Sequence, residues 1–194
     1  MALGLSMILV SAGPAVGQQP AATGATTTIE GVVAVVDGRP LLLSDRRAVE
    51  QVRGLAAQPA LEALVDERLM QLEASRLPQA EVLPDEEERA ARELLERRPT
   101  LASLVPAPDL RRLVRRQLAI LKYVEFRFRP QLRVTDEDVR AAFESDPGAG
   151  DSLEAARERV REQLERRALD ERVEAWVKEL RARAEVRYVG SPAP

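Results

Sequence analysis

Residues 29 to 43 are apolar at almost every position. Ile29, Val32, Val33, Val35 and Val36 are β-branched, Leu41 to Leu43 follow, and Asp37-Gly38 lies between the two runs. β-Branched residues suit a pleated strand, and Asp-Gly suits a tight turn with positive φ, so the pattern predicts a β-hairpin. Both strands lack a polar face, which requires helices to cover at least one side.

After the hairpin the spacing becomes helical. Ser44 offers a side-chain oxygen to cap a helix running to about Ala56. Pro59 opens a second helix to about Leu77, with Leu61, Leu64, Val65, Leu69 and Leu72 on one stripe and Pro78 ending it. "VLPDEEERAARELLERR" signals a third, with acids in its first turn and arginines in its last, as the helix dipole favours. "PTLASLVPAPD" reads as a loop whose Leu101, Leu104 and Val105 are apolar for no local reason. A fourth helix spans about Asp109 to Arg129, with Leu110, Leu113, Val114, Leu118, Leu121, Val124 and Phe128 at helical spacing.

"VTDEDVRAAFESD" begins a fifth helix, where Thr135 and Asp138 approximate a capping box, and "DPGAG" is a turn. The last helix, about Ser152 to Ala184, would be roughly 50 Å long. Its stripe runs Leu153, Ala156, Val160, Leu164 and then shifts phase to Leu169, Val173, Trp176, Val177 and Leu180, which predicts different packing partners for its two halves. "AEVRYV" restores a strand pattern. A lone hairpin is marginal in water, so this strand is expected to return to it as a third. The fold class is mainly α, with an N-terminal hairpin joined by a C-terminal strand after a long last helix.

The front of the chain sets the expected compartment. Residues 2 to 10, "ALGLSMILV", form an apolar run too short to span a bilayer, and Ala15 and Gly17 give a small-x-small cleavage pattern, although no Lys or Arg precedes the run. Residues 1–17 are read as an export signal, 18–28 as a disordered Gln, Pro, Ala, Gly and Thr lead-in, 29–189 as one domain and 190–194 as a tail. The expected location is the periplasm.

Composition narrows the chemistry. The 194-residue chain contains no cysteine and no histidine, which excludes Cys/His zinc sites, thiol nucleophiles and imidazole acid/base catalysis. A formal net charge of -3 gives no global field toward nucleic acid or anionic membrane, and no ATP-binding motif is present. No cofactor, metal, nucleic-acid partner or stable membrane insertion is expected.

Four segments carry a family resemblance. "GVVAVVDGRPLLLSD", "ALVDERLMQLEASRL", "LRRLVRRQLAILKYVE" with "RVTDEDVRAAF", and "AWVKELRARAEVRYV" occur in the order seen in the N-terminal domain of SurA-type periplasmic chaperones. These are relatives of the parvulin-type prolyl isomerases and PrsA-like foldases. The likeness covers about Ile29 to Val189. It implies a helical domain whose terminal strand pairs with the N-terminal strand, and a parvulin domain inserted before the last helix. Between Phe143 and Ser152 this chain has only "ESDPGAGD", whereas a parvulin domain needs on the order of 100 residues. The resemblance therefore implies a chaperone that holds unfolded envelope or outer-membrane polypeptides without isomerase activity.

Candidate chemistry is sparse. Asp66 and Glu67, Asp85 to Glu88, and Asp136 to Asp138 are paired carboxylates, but they sit in first turns or beside arginines, where capping and solvation account for them. No catalytic residue is assigned. Arg111, Arg112, Arg115, Arg116, Arg127, Arg129 and Arg133 form the one basic concentration, expected to be ion-paired or solvated because no aromatic residues interleave as in a nucleic-acid stripe. The informative feature is an apolar surplus. Leu101, Leu104, Val105, Tyr123, Phe126 and Phe128 exceed what one stripe buries. They either fill the core or line a client-binding groove. The alternative function is a structural or interaction module, acting as a domain-swapped homodimer with a dedicated partner.

Overall fold

The computed structural model describes residues 30–145 and 152–189. The residues read as an export signal and lead-in, Ile29, the segment 146–151 read as a "DPGAG" turn, and the expected tail lie outside the described residues.

The hairpin forms where the apolar run meets Asp37-Gly38. β1 (Val32–Val36) and β2 (Arg39–Leu42) pair antiparallel, with Val36 opposite Arg39 and Ala34 opposite Leu41. Asp37 and Gly38 adopt φ of 47° and 73°, the left-handed pair that a two-residue turn needs. β3 (Val186–Tyr188) returns antiparallel to β1, giving the order β2-β1-β3.

Asp37 also holds this junction. Its N–H donates to the Glu185 carbonyl (2.9 Å) and its carboxylate accepts the Glu185 N–H (2.9 Å). Asp37→Ala should therefore lose a hydrogen bond and place a Cβ-bearing, non-polar residue at positive φ, a combined loss of about 2 kcal/mol. Asp37→Asn, which keeps the acceptor and tolerates that conformation, should be near neutral, and Asp37→Gly should fall between. Urea midpoints for the three variants check the order.

Helices enclose the sheet's inner face. α1 (Leu43–Arg53), α2 (Ala57–Ala74), α3 (Pro84–Arg97), α4 (Leu101–Leu104) and α5 (Ala107–Arg127) precede α6 (Asp136–Ser145) and α7 (Leu153–Arg183). Short 3-10 turns occupy Pro78–Ala80 and Arg129–Gln131. The main core joins Ala34, Val36 and Leu41 of the sheet to Val49, Leu64, Val65, Leu101, Leu113, Trp176 and Leu180. α7 divides as its stripe predicts. Its C-terminal half docks Trp176 and Leu180 into this core, while Ala156 and Val160 form a separate cluster with Val139 of α6.

Several sequence expectations change in detail. Ser44 is not a cap: α1 starts one residue earlier, and the Glu30 carboxylate accepts the Ser44 N–H (3.1 Å) from outside the helix. α2 ends at Ala74, three residues before the expected boundary, where the Ser75 hydroxyl bonds the Leu72 carbonyl, and Pro78 opens a 3-10 turn instead. The segment read as a loop contains α4, one helical turn that points Leu101 and Val105 four residues apart into the core. That turn supplies the reason their apolar character lacked. The expected capping box at α6 is present: Thr135 Oγ1 accepts the Asp138 N–H (3.1 Å), and Asp138 Oδ2 accepts the Thr135 N–H (2.8 Å).

Candidate binding surface

The six apolar residues singled out from the sequence separate into three groups. Leu101, Val105 and Phe128 are buried in the main core and present nothing at the surface. Tyr123 is half-buried and stacks on Trp176 with ring centroids 4.8 Å apart and planes 9° from parallel. Phe128 meets the same Trp176 edge-on at 5.3 Å. Offset-stacked and edge-on pairs are the favoured aromatic arrangements, so Tyr123 and Phe128 serve to dock α7 on α5. Only Leu104 (54% exposed) and Phe126 (52% exposed) face solvent.

These two do not share one groove. Leu104 precedes α5 and Phe126 lies near its C-terminal end, so about 30 Å of helix separates them. Leu104 lines a cavity of about 350 Å³ with Arg47, Pro106 and Asp109.

Phe126 belongs to a different surface, which the sequence did not single out. Arg115, Ala119, Lys122 and Phe126 recur at helical spacing and lie along one line of α5. Arg115 and Ala119 close a cavity of about 500 Å³ against Leu77, Pro78 and Val82. One turn further on, the Lys122 ammonium donates to the Glu81 carbonyl (2.6 Å) and to both Glu86 carboxylate oxygens (2.6 and 2.8 Å). Leu83, 50% exposed, lies within the stretch that Lys122 grips, and Phe126 follows Lys122 by another turn. Leu121, counted in the apolar stripe of α5, is 53% exposed, although Leu110, Val114, Val124 and Phe128 of the same stripe are buried. The signal for Leu83 was present but unused: an apolar residue directly before a helix that opens with Pro84 and three acids.

Four of the seven arginines in the basic concentration, Arg112, Arg115, Arg116 and Arg129, form ion pairs. Hydrogen bonds from Lys122 and from the Leu83 N–H hold the Glu86 carboxyl below its ordinary range. Arg115 pairs with Glu87 (3.7 Å), Arg112 with Asp45 (3.1 Å) and Asp109 (2.7 Å), and Arg129 with Glu125. Among the carboxylates considered for chemistry, Asp66 pairs with Arg181, Asp85 with Arg89, Glu88 with Arg92, and Asp136 with Arg157 and Arg161.

Glu67 differs from its neighbours. It is almost wholly buried and accepts from the equally buried Arg116 (2.7 Å), from Arg53 and from Gln117 (3.4 Å), tying α1, α2 and α5 together. Two of these donors meet Oε1 and one meets Oε2, an arrangement that holds three helices together through one side chain.

No family model matches this chain, and no curated protein matches it. Among the described residues, no helix is long and apolar enough to cross a membrane.

Proposed function

We propose that the chain is an exported, ATP-independent holdase that binds unfolded envelope or outer-membrane polypeptides and has no isomerase activity, in keeping with its resemblance to the SurA-type N-terminal domain. One observation carries the reading: Leu83, Leu121 and Phe126 remain at least half exposed on or beside α5. Exposed apolar side chains of this kind suit weak, sequence-tolerant contacts with extended apolar segments. The Lys122–Glu86 and Arg115–Glu87 ion pairs lie on the same side of α5 as Phe126.

The test is light scattering of a denatured outer-membrane β-barrel protein diluted into buffer, with and without the chain from Gln18 onward. Suppression near equimolar amounts is expected. A Leu83→Asp, Phe126→Asp double variant should lose most of that suppression while its melting temperature stays within a few degrees of the parent, because both sites are exposed. Undiminished suppression by a folded double variant would move the site elsewhere. No suppression by the folded parent would sink the holdase reading in favour of a dedicated interaction module.

A further inference from the structure

The three-stranded sheet has two edges of different character. The β1–β3 register places Val35 opposite Arg187, with flanking bonds from the Asp37 N–H to the Glu185 carbonyl (2.9 Å) and from the Val189 N–H to the Val33 carbonyl (3.0 Å). Along an antiparallel ladder, hydrogen-bonded pairs alternate with pairs that point their main-chain groups apart. Val186 and Tyr188, opposite Val36 and Ala34, are therefore of the second kind. Their N–H and C=O groups point away from β1. β3 ends the strand order, and among the described residues β1 is the only element that packs extensively on it.

The same alternation turns Pro40 and Leu42 outward on β2. Pro40 has no N–H to offer, and α1 begins directly after Leu42, so that edge cannot template a neighbour. Sheets commonly block edges with proline in this way. Among the described residues β3 carries no such block. It is instead held ready: the Tyr188 hydroxyl donates to Glu62 (2.9 Å), and Asp37 fixes Glu185. Tyr188, Val189 and Val32 leave apolar surface exposed around it.

We propose that the outer edge of β3 is a strand-addition site for an extended segment of alternating apolar and polar residues, the pattern of a β-strand that has not yet folded. This rests on the holdase reading and gives it a client class. Main-chain pairing supplies recognition that does not depend on client sequence, and alternate apolar side chains lie against Val186 and Tyr188 while polar ones lie beside Arg187. Pro40 confines the addition to one edge, so captured segments cannot extend the sheet in both directions.

The experiment uses the isotope-labelled chain titrated with a soluble peptide of alternating valine and threonine with terminal lysines. Amide exchange is read at Val186 and Tyr188. Saturating peptide should slow both by about tenfold or more, with little change at Arg187, whose N–H already faces β1. The same peptide, N-methylated at two adjacent central residues so that both its edges are blocked, should have no effect. Val186→Pro should abolish the peptide response without breaking a β1–β3 bond, because the Val186 N–H donates to none of them. If that variant fails to fold, the two peptides alone decide.

Equal effects from the two peptides, or no slowing at either amide, would overturn the proposal. So would slowing that needs no peptide and grows with protein concentration, which would make the edge a contact between copies. Light scattering on the same preparations separates the two readings. Suppression of aggregation without slowed exchange removes the edge site and leaves the holdase; slowed exchange without suppression does the reverse.

Discussion

Glu67→Ala is expected to destabilise the protein by about 3–5 kcal/mol, a large share of the 5–15 kcal/mol typical of a domain. The loss comes less from the missing attraction than from what remains. Arg116 is 3% exposed, and its bond to Glu67 is the one carboxylate contact its guanidinium makes in the described structure. Removing the carboxylate leaves a cation enclosed by α1, α2 and α5 with no counter-charge, and desolvating an ion without a partner is expensive. Arg53, 40% exposed, can turn to water and adds little. The argument makes a second claim that separates it from simple cavity formation. Glu67→Ala combined with Arg116→Met should recover much of the loss, since replacing both ends of a buried pair by apolar groups is far cheaper than breaking it. Urea unfolding followed by circular dichroism, with the full double-mutant cycle, measures both. Additive losses would show that the two side chains act separately.

Trp176→Ala should cost a similar amount, about 3–5 kcal/mol, for a different reason. Trp176 is the only tryptophan, it is 7% exposed, and it carries the stack with Tyr123 and the edge contact with Phe128. These contacts fasten the C-terminal half of α7 to α5, and β3 follows α7 directly. The variant should therefore show its damage unevenly. Amide exchange in residues 169 to 188 should accelerate more than in α2, and the α6 cluster around Val139 and Val160, which Trp176 does not touch, should change least. Trp176→Phe keeps a ring in place and should lose well under half as much. Uniform acceleration across the molecule would mean that α7 is not a separable layer.

Much of this architecture was legible in residue order. Asp37-Gly38 marked the turn, apolar spacing marked the long helices, and the phase shift after Leu164 marked the division of α7 between two clusters. The returning strand followed from the weakness of a lone hairpin. Local pattern could not show which apolar residues stay outside. Leu101 and Val105 are buried only because one helical turn forms between two prolines, and Phe126 is exposed although its neighbours Tyr123 and Phe128 are claimed by Trp176. Exposure there depends on the arrival of α7, which lies far along the chain. The sequence pattern groups Glu67 with Asp66 as a capped or solvated carboxylate, whereas Asp66 is half-buried on Arg181 and Glu67 is enclosed in the core. Yet Ala60, Leu64 and Glu67 lie at helical spacing and the first two are core residues, so the position was readable as inward even though the residue type argued against it.

The junction between Asp37 and Glu185 joins residues 148 positions apart in sequence. All seven described α-helices lie between the hairpin and its third strand. A fold closed by so distant a contact carries a heavy loop-closure entropy at its final step, and long-range pairing of this kind is slow. The sheet therefore cannot be completed until α7 has been made and β3 is free to return to β1.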